Sequence, residues 1–193
     1  MGIILEDVVI AFVNIFDPEE DLDGVEKYSV QVRVHEDDKA NVTRCEQAVK
    51  KAIEQGKKKL WGGKKPKFDN DPIRNGNKEY AEAVEDGRGG DFDKTLKDHI
   101  FFAAKKLPKY GKPGIVDENL QPVLDPEKFY SGVRVNLEVN PYPHKNNGVA
   151  WGLANVMYVG EGDRLDGQQS AQDAFANLAP ETPAEAAGDE EAF

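Results

Sequence analysis

The sequence predicts a mainly β protein, with a small closed β-barrel, one main helix and a disordered acidic C-terminal tail. Five segments carry the alternation or the β-branched and aromatic enrichment of strands, and one segment has apolar residues at helical spacing. After Gly160 the composition shifts to Ala, Glu, Gln, Pro and Asp, which cannot bury enough apolar surface to offset the ordering entropy. We therefore expect a barrel domain over residues 1–160 and a tail over residues 161–193.

The first two strands and the main helix are predicted in the N-terminal third of the chain. Residues 3–16 are rich in β-branched and aromatic types and precede the Asp17-Pro18 pair, which predicts a strand that ends there. Residues 25–34 alternate, with apolar residues on one face and a polar, partly basic face on the other. A helix follows and ends near Gly56, because apolar side chains recur at helical spacing at Val42, Cys45, Ala48, Val49, Ala52 and Ile53. Cys45 is therefore expected in the core.

The remaining strands are predicted after a long polar segment. Residues 69–97 are rich in Gly and charge and predict a long loop with one short helix near residues 79–84. Three strands are expected after this loop, over residues 99–106, 130–142 and 146–159, and residues 115–124 are expected to form a small hairpin arm. Trp151 and Phe12 lie on strongly apolar strands, where aromatic rings usually pack in the core. Many short strands also occur in two-sheet sandwiches, which remain the alternative to a barrel.

The charge is strongly polarised along the chain. The net charge is −11, yet residues 39–67 contain ten lysines and arginines against two glutamates, a local balance of +8. Residues 161–193 contain nine acids against one arginine, a local balance of −8. Because local fields guide binding more than the total charge does, the acidic total does not exclude a polyanionic partner.

The location predicted from the sequence is the cytoplasm. Cys45 is the single cysteine, which fits a reducing compartment and leaves no partner for a disulfide or a cysteine zinc site. The N-terminal segment MGIILEDVVIAF lacks a basic start and carries two acids, unlike a signal peptide. No cofactor motif is found in the sequence, and none is expected.

Lysines and aromatic residues alternate in a way that favours binding to single-stranded nucleic acid. Such proteins combine a cationic groove for phosphates with rings on which bases stack. The predicted phosphate-contacting residues are Arg33, Lys57, Lys58, Lys59, Lys64, Lys65, Lys105, Lys106, Lys112 and Arg134. The predicted stacking residues are Trp61, Phe101, Tyr110 and Tyr130. Either Phe101 or Phe102 is expected to face outward unless both sides of their strand are covered.

Two other classes of function are left open by the residues. Carboxylates at 68–71 (FDND) and at Asp91 and Asp93 could hold Mg²⁺ for a nuclease, since hard cations take oxygen ligands. Both segments also have turn character, where Asp and Asn are common for backbone reasons. A module that binds only other proteins is the second alternative.

The last residues of the tail form a compact apolar and anionic peptide. Asp189, Glu190 and Glu191 precede Phe193, whose ring is joined to a terminal carboxylate. A pocket with a basic residue and an apolar slot can capture such a terminus. Composition alone favours a tail that keeps the protein soluble, and capture of this end by a partner protein is the alternative.

Several segments of the chain, which together span roughly residues 5–160, resemble a family of bacteriophage single-stranded-DNA-binding proteins. The segments are KYSVQV (27–32), GKKKLWGGKK (56–65), PIRNGN (72–77), HIFFAAKK (99–106), KPGIVD (112–117), FYSGVRVNLEVNPY (129–142) and NNGVAWGLANV (146–156). The resemblance implies an oligonucleotide-binding (OB) fold, binding of single strands without sequence specificity, and no catalytic activity. The tail is similar in kind to the acidic, Phe-ending tails of bacterial and other phage single-strand binders, which implies that it recruits replication or recombination proteins.

Overall fold

The computed structural model describes residues 2–21, 24–68, 70–145, 148–165 and 167. The strands are β1 (Ile3–Glu20), β2 (Glu26–His35), β3 (Arg74–Asn75), β4 (His99–Lys106), β5 (Gly114–Val116), β6 (Arg134–His144) and β7 (Gly148–Gly160). The helices are α1 (Lys39–Lys59) and α2 (Gly76–Glu85). Asp189, Glu190, Glu191 and Phe193 of the predicted tail lie outside the described residues. No helix of the described segments is long and apolar enough to cross a membrane.

Five of the strands close a barrel in the order β1-β2-β4-β7-β6 and back to β1. Neighbouring strands are antiparallel except β4 and β7, which pair in parallel through Ala104–Trp151 and Lys105–Gly152. This parallel pair joins the two ends of the sheet, so that both edges of every barrel strand are covered. The five-stranded closed barrel predicted from the sequence is confirmed.

β1 is long because it pairs with two strands, β6 and β2, along different parts of its length. Its first half pairs with β6, and its second half continues along β2 as far as Glu20. Two irregular positions bend it, at Asp7 and Phe12, whose φ angles are 53° and 50°. The predicted end of the strand at Asp17-Pro18 is wrong. Pro18 lies in an irregular stretch of the β1–β2 pairing, where a proline is tolerated within a strand.

α1 packs mainly against β6, with further contacts to β1 and β7. The Asp38 side chain caps its first turn by accepting the Asn41 backbone N–H at 3.0 Å. The buried Asn41 amide binds both backbone groups of Glu6, which fixes the helix to β1. Cys45 is fully buried, so its predicted core position is confirmed, and burial together with two nearby carboxylates raises its pKa to about 12.

The helix extends to Lys59, one turn beyond the predicted end at Gly56. Lys57, Lys58 and Lys59 therefore form its last turn, where positive charge complements the negative end of the helix dipole. The three lysines accordingly project from a regular backbone. Their spacing on the surface is set by the helix.

Residues 70–98, here termed the insert, form a small structured unit between α1 and β4. The predicted short helix is confirmed as α2, but the prediction of a loop elsewhere is incomplete, because β3 pairs with β4 through Arg74–Phe101 and Asn75–Ile100. A β-carbon on Gly76 would lie 1.7 Å from the Leu96 carbonyl oxygen, so only glycine permits this close packing. The insert covers part of the outer surface of the barrel.

The core is filled by side chains from all five barrel strands and from α1. Trp151 stacks on Phe102 with ring centroids 4.0 Å apart and planes inclined by 17°. Its indole N–H donates to the Pro72 carbonyl at 2.7 Å, which attaches the insert to the barrel. The predicted core position of Trp151 is confirmed.

Candidate nucleic-acid interface

A polar strip runs across three neighbouring strands on the outside of the barrel. Ser29 of β2 is paired with Lys105 of β4, and Lys105 is paired in turn with Gly152 of β7. Directly opposed residues of a sheet point to the same face, so these three positions lie side by side. Lys105 and Ala103 are exposed. The small side chains at Ser29, Ala103 and Gly152 let a ligand approach the backbone closely. We call this surface, together with Gln31 and Ala150, the outer strip.

The segment that follows α1 lies at one end of the outer strip. The indole N–H of Trp61 donates to the His144 carbonyl at the end of β6, at 3.3 Å. Trp61 makes an edge contact with Phe68 at 5.8 Å, and the Lys65 ammonium lies 4.6 Å from the Phe68 ring centre. Phe68 in turn packs against Gly148, the first residue of β7. We call residues 57–68 the Trp61 cluster.

Most lysines of the Trp61 cluster present their charge to solvent. Lys57 pairs with Glu54 at 2.7 Å, a contact between neighbouring turns of α1. Within the described ranges, Lys58, Lys59 and Lys64 are exposed and form no ion pair. Their charge is therefore available to an external anion.

The second basic segment lies at the other end of the outer strip. Gly148 and Gly152 are four residues apart on β7, which corresponds to roughly 13 Å along a strand. β4 ends at Lys106, and in the loop that follows Tyr110 is 68% exposed and the Lys109 ammonium lies 5.0 Å from the Tyr110 ring centre. We call residues 105–112 the Tyr110 loop. The two predicted basic clusters thus flank one surface.

Two lysines of the Tyr110 loop also hold it in place. The Lys106 ammonium donates to the Lys112 carbonyl at 2.9 Å, and the Lys112 ammonium donates to the Phe16 carbonyl at 3.0 Å. These bonds tie the loop to the end of β1. Their positive charges remain uncompensated by any ion pair in the part of the chain that the structure describes.

Arg33 and Phe101, both predicted to contact DNA, are covered by the insert. Arg33 is 2% exposed and binds Asp93 at 3.0 Å and Gln31 at 2.8 Å. Phe101 is 1% exposed, and the Arg74 guanidinium lies 4.6 Å from its ring centre. Phe102 is buried too, so both sides of this strand are covered, which is the exception that the sequence prediction allowed. The reason is that the insert provides a second apolar and charged layer over β4.

Asp93, one of the candidate metal ligands in the sequence, has a structural role. Its carboxylate pairs with Arg33 and also accepts the backbone N–H of Thr95, capping a short 3-10 turn at Lys94–Leu96. Burial raises its pKa, but the hydrogen bonds from Thr95 and the charge of Arg33 outweigh burial, so the pKa lies below its usual value. Among the described residues, no three His, Cys, Asp or Glu side chains gather to hold a metal ion.

The variant Asp93→Asn should lose a pH-dependent part of the stability. A carboxyl whose pKa is lowered by folding stabilises the protein above its unfolded pKa of about 3.9, and this contribution disappears as the pH falls through the folded pKa. We expect a loss of about 1 kcal/mol at neutral pH, reduced by solvent screening because the side chain is 42% exposed. Urea unfolding at neutral pH and at about pH 3 measures the difference between variant and wild type.

The exposed neighbour Asp91 supplies the matched control, since Asp91→Asn removes the same charge two residues away. The gap between wild type and Asp93→Asn should shrink at acidic pH, whereas Asp91→Asn should follow the wild type. An equal gap at both pH values would contradict the proposed role of the carboxylate.

Tyr130 and Arg134 are placed on another side of the barrel, and both are engaged. The Tyr130 hydroxyl donates to the Gly162 carbonyl at 2.9 Å, and the Arg164 guanidinium lies 4.3 Å from its ring centre. Arg134 makes two bonds of 2.7 Å to the Asp7 carboxylate across β1 and β6. The structure therefore does not bring these two residues to the outer strip, because Arg134 begins β6, which is not one of the three strands of the strip, and Tyr130 lies in the segment before it.

Three exposed or half-exposed rings near this surface were not predicted as contacts. Phe12, predicted in the core, is 64% exposed, because the irregular backbone of β1 turns its side chain outward. Tyr142 is 41% exposed opposite Ala150, and Phe68 extends the Trp61 cluster. The lysine run beside Phe68 was a usable sequence signal, whereas nothing in the pattern of β1 marks the outward turn at Phe12.

The sequence of this chain matches a known protein family over most of its length. Residues 1–188 match the family described as Enterobacter phage Enc34, ssDNA-binding protein. The chain belongs to this family. The Enc34 family match confirms the resemblance predicted from the sequence segments. A comparison with curated proteins finds no matching sequence.

Solved structures of phage single-stranded-DNA-binding proteins have the same fold as this Enc34-family chain. The protein from bacteriophage Enc34 is 16% identical with a TM-score of 0.60, covering 90% of this chain and 89% of that one. Its structure in complex with ssDNA is 15% identical with a TM-score of 0.59, covering 84% and 88%. The gp2.5 protein of bacteriophage T7 is 14% identical with a TM-score of 0.53, covering 96% and 98%.

Proposed function

We propose that this chain binds and protects single-stranded DNA without sequence specificity, along the outer strip between the Trp61 cluster and the Tyr110 loop. The observation that carries the proposal is the register of β4 with β7. It places Lys105 beside Gly152, on the strand that begins against Phe68. A strand of DNA lying across this surface meets ammonium groups at both ends. The solved complex of the Enc34 protein with ssDNA supports the choice of ligand.

The side chains on this surface fit a sequence-tolerant mechanism. Every base has a face on which an aromatic ring can stack, and each such contact contributes about 1–3 kcal/mol. Trp61, Phe68 and Tyr110 supply rings, and the lysines around them neutralise phosphates. Neither group reads the edge of a base. The chain therefore binds strands as they become exposed, and it does so without catalysis.

The setting of this activity is phage DNA replication or recombination in the host cytoplasm. Both processes expose single strands that need protection. The acidic tail ending in Asp189, Glu190, Glu191 and Phe193 recruits replication or recombination proteins through its apolar and anionic terminus. The described residues 161–165 leave the barrel near Ser131, since the Leu165 N–H donates to the Ser131 carbonyl at 2.8 Å.

The test is a titration of the full-length chain with a single-stranded oligonucleotide, a duplex and an RNA at two salt concentrations. Five lysines, namely Lys58, Lys59, Lys64, Lys65 and Lys105, are counted as phosphate contacts. At about −0.7 per phosphate the slope of log affinity against log salt should be about −3.5, so the affinity should fall about a hundredfold between roughly 0.1 M and 0.4 M salt.

Tighter binding of the single strand than of the duplex is also expected, because paired bases offer no free faces to the rings. A flat salt response, or equal affinity for the duplex, would refute the proposal. Equal affinity for RNA would extend the ligand to single-stranded nucleic acid in general, since stacking and phosphate contacts do not sense the 2′-hydroxyl.

A further inference from the structure

We propose that Phe12 is a base-stacking residue that extends the binding surface from the outer strip onto β1. The inference rests on the proposed binding of single-stranded DNA and adds a residue on a strand outside the outer strip. Phe12 is 64% exposed, on the solvent side of a strand whose other face closes the core. A ring left in water at this position stabilises the barrel little.

The backbone at Phe12 is held in an unfavourable conformation. Its φ of 50° lies in the left-handed region, which bulky residues seldom adopt. Strain of this kind persists where the surrounding structure imposes it, and it is concentrated at functional positions. Here the Phe12 N–H donates to the Ser131 hydroxyl at 3.0 Å, so the outward turn is fixed by a contact with another part of the chain.

The register places Phe12 next to the outer strip. On β1, Phe12 lies between Ala11, which pairs with Gln31 of β2, and Asn14, which pairs with Ser29 of β2. Ser29 is paired with Lys105 on the next strand. Neighbouring strands are about 4.8 Å apart, which puts the backbones at Phe12 and Lys105 roughly 10 Å from each other. A base stacked on Phe12 therefore has its phosphate within reach of the Lys105 ammonium.

The surface around Phe12 favours a nucleotide over an apolar protein partner. Gln31, Ser29 and Asn14 are polar, and Lys105 adds a positive charge. A protein-docking patch needs a contiguous apolar area, which a single ring in a polar row does not supply. A base provides both the flat face for the ring and the anion for the lysine.

The experiment compares four variants with the wild type by oligonucleotide titration and thermal unfolding. Phe12→Ala and Phe12→Gly should weaken binding of a single strand about 5- to 150-fold, the effect of one stacked base. Phe12→Tyr should restore binding to about the wild-type level, since it keeps the ring. Ile4→Ala is the matched control, because Ile4 is an exposed apolar residue of β1, 58% exposed, that faces β6.

Two further readouts separate stacking from a structural role. The melting temperature of Phe12→Gly should equal or exceed that of the wild type, because glycine adopts a positive φ without strain. The salt slope of both variants should match the wild type, because no charge is removed. Weak binding accompanied by a lowered melting temperature, or a binding loss equal to that of Ile4→Ala, would overturn the role of Phe12.

The outcome for Phe12 is distinguishable from the outcome for the function itself. If the wild type binds single strands and Phe12→Ala binds equally well, Phe12 is not a stacking residue and the proposed function stands. In that case the exposed ring is left as a candidate contact for a protein. If the wild type does not bind, the proposed function fails, and the role of Phe12 fails with it.

Discussion

Replacing Trp151 with alanine is expected to lower the free energy of unfolding by about 3–5 kcal/mol, the usual cost of removing a large buried ring. Trp151 is 4% exposed and stacks on Phe102 at 4.0 Å, so the substitution leaves a cavity beside the parallel β4–β7 pair. It also removes the hydrogen bond to the Pro72 carbonyl, by which the insert is attached. Urea unfolding followed by circular dichroism measures the change.

Trp151→Phe is the control that divides the effect of the ring from that of the hydrogen bond. It keeps a stacking partner for Phe102 and loses the indole N–H, which should cost about 1–2 kcal/mol for the bond and the partial cavity. If Trp151→Ala were no less stable than Trp151→Phe, the stacked pair would not be a main element of the core.

Removing three lysines from the two ends of the outer strip should produce the largest effect on binding. In Lys64→Ala/Lys65→Ala/Lys105→Ala the salt slope should become less negative by about 2.1, and the affinity at about 0.1 M salt should fall roughly a hundredfold. The lost interactions are with phosphates, so the loss should be similar for oligonucleotides of different sequence. Fluorescence anisotropy at several salt concentrations gives both quantities.

The matched control removes the same number of charges from the exposed face of α1. Lys39, Lys50 and Lys51 are exposed and lie before the Trp61 cluster. Their triple alanine variant has the same net charge as the test variant. A comparable loss of affinity in both would show that total charge, and not the arrangement on the outer strip, governs binding.

The regular elements of the barrel could be predicted because their patterns are local. The alternation of residues 25–34 and the apolar stripe of α1 each specify a face that must be buried, and both agree with the structure. The strand over 99–106 has the predicted bounds. The helical lysines beyond Gly56 were missed because the helix end depends on Trp61, whose ring packs on Gly56 and whose indole N–H bonds the distant His144 carbonyl, a tertiary contact.

The candidate site was predictable in its basic clusters and not in its individual rings. The lysine runs beside Trp61 and Tyr110 can be read directly from the sequence, and charged side chains such as these are expected at the surface. Whether Phe101 faces solvent depends on Arg74, which is brought over the ring by the pairing of β3 with β4. The outward orientation of the Phe12 side chain depends on a bulge in β1 and on a contact with Ser131, and neither produces a periodic pattern in the sequence.

The parallel closure between β4 and β7 has a consequence for a chain that is still being synthesised. Lys105 acquires its neighbour Gly152 only when the last barrel strand has emerged and paired, because those two residues come from distant parts of the sequence. Contacts of such long range form late, after a large loss of chain entropy. A nascent chain that stops before β7 has these lysines but lacks the proposed binding surface, so we expect it to bind single-stranded DNA only once the barrel is complete.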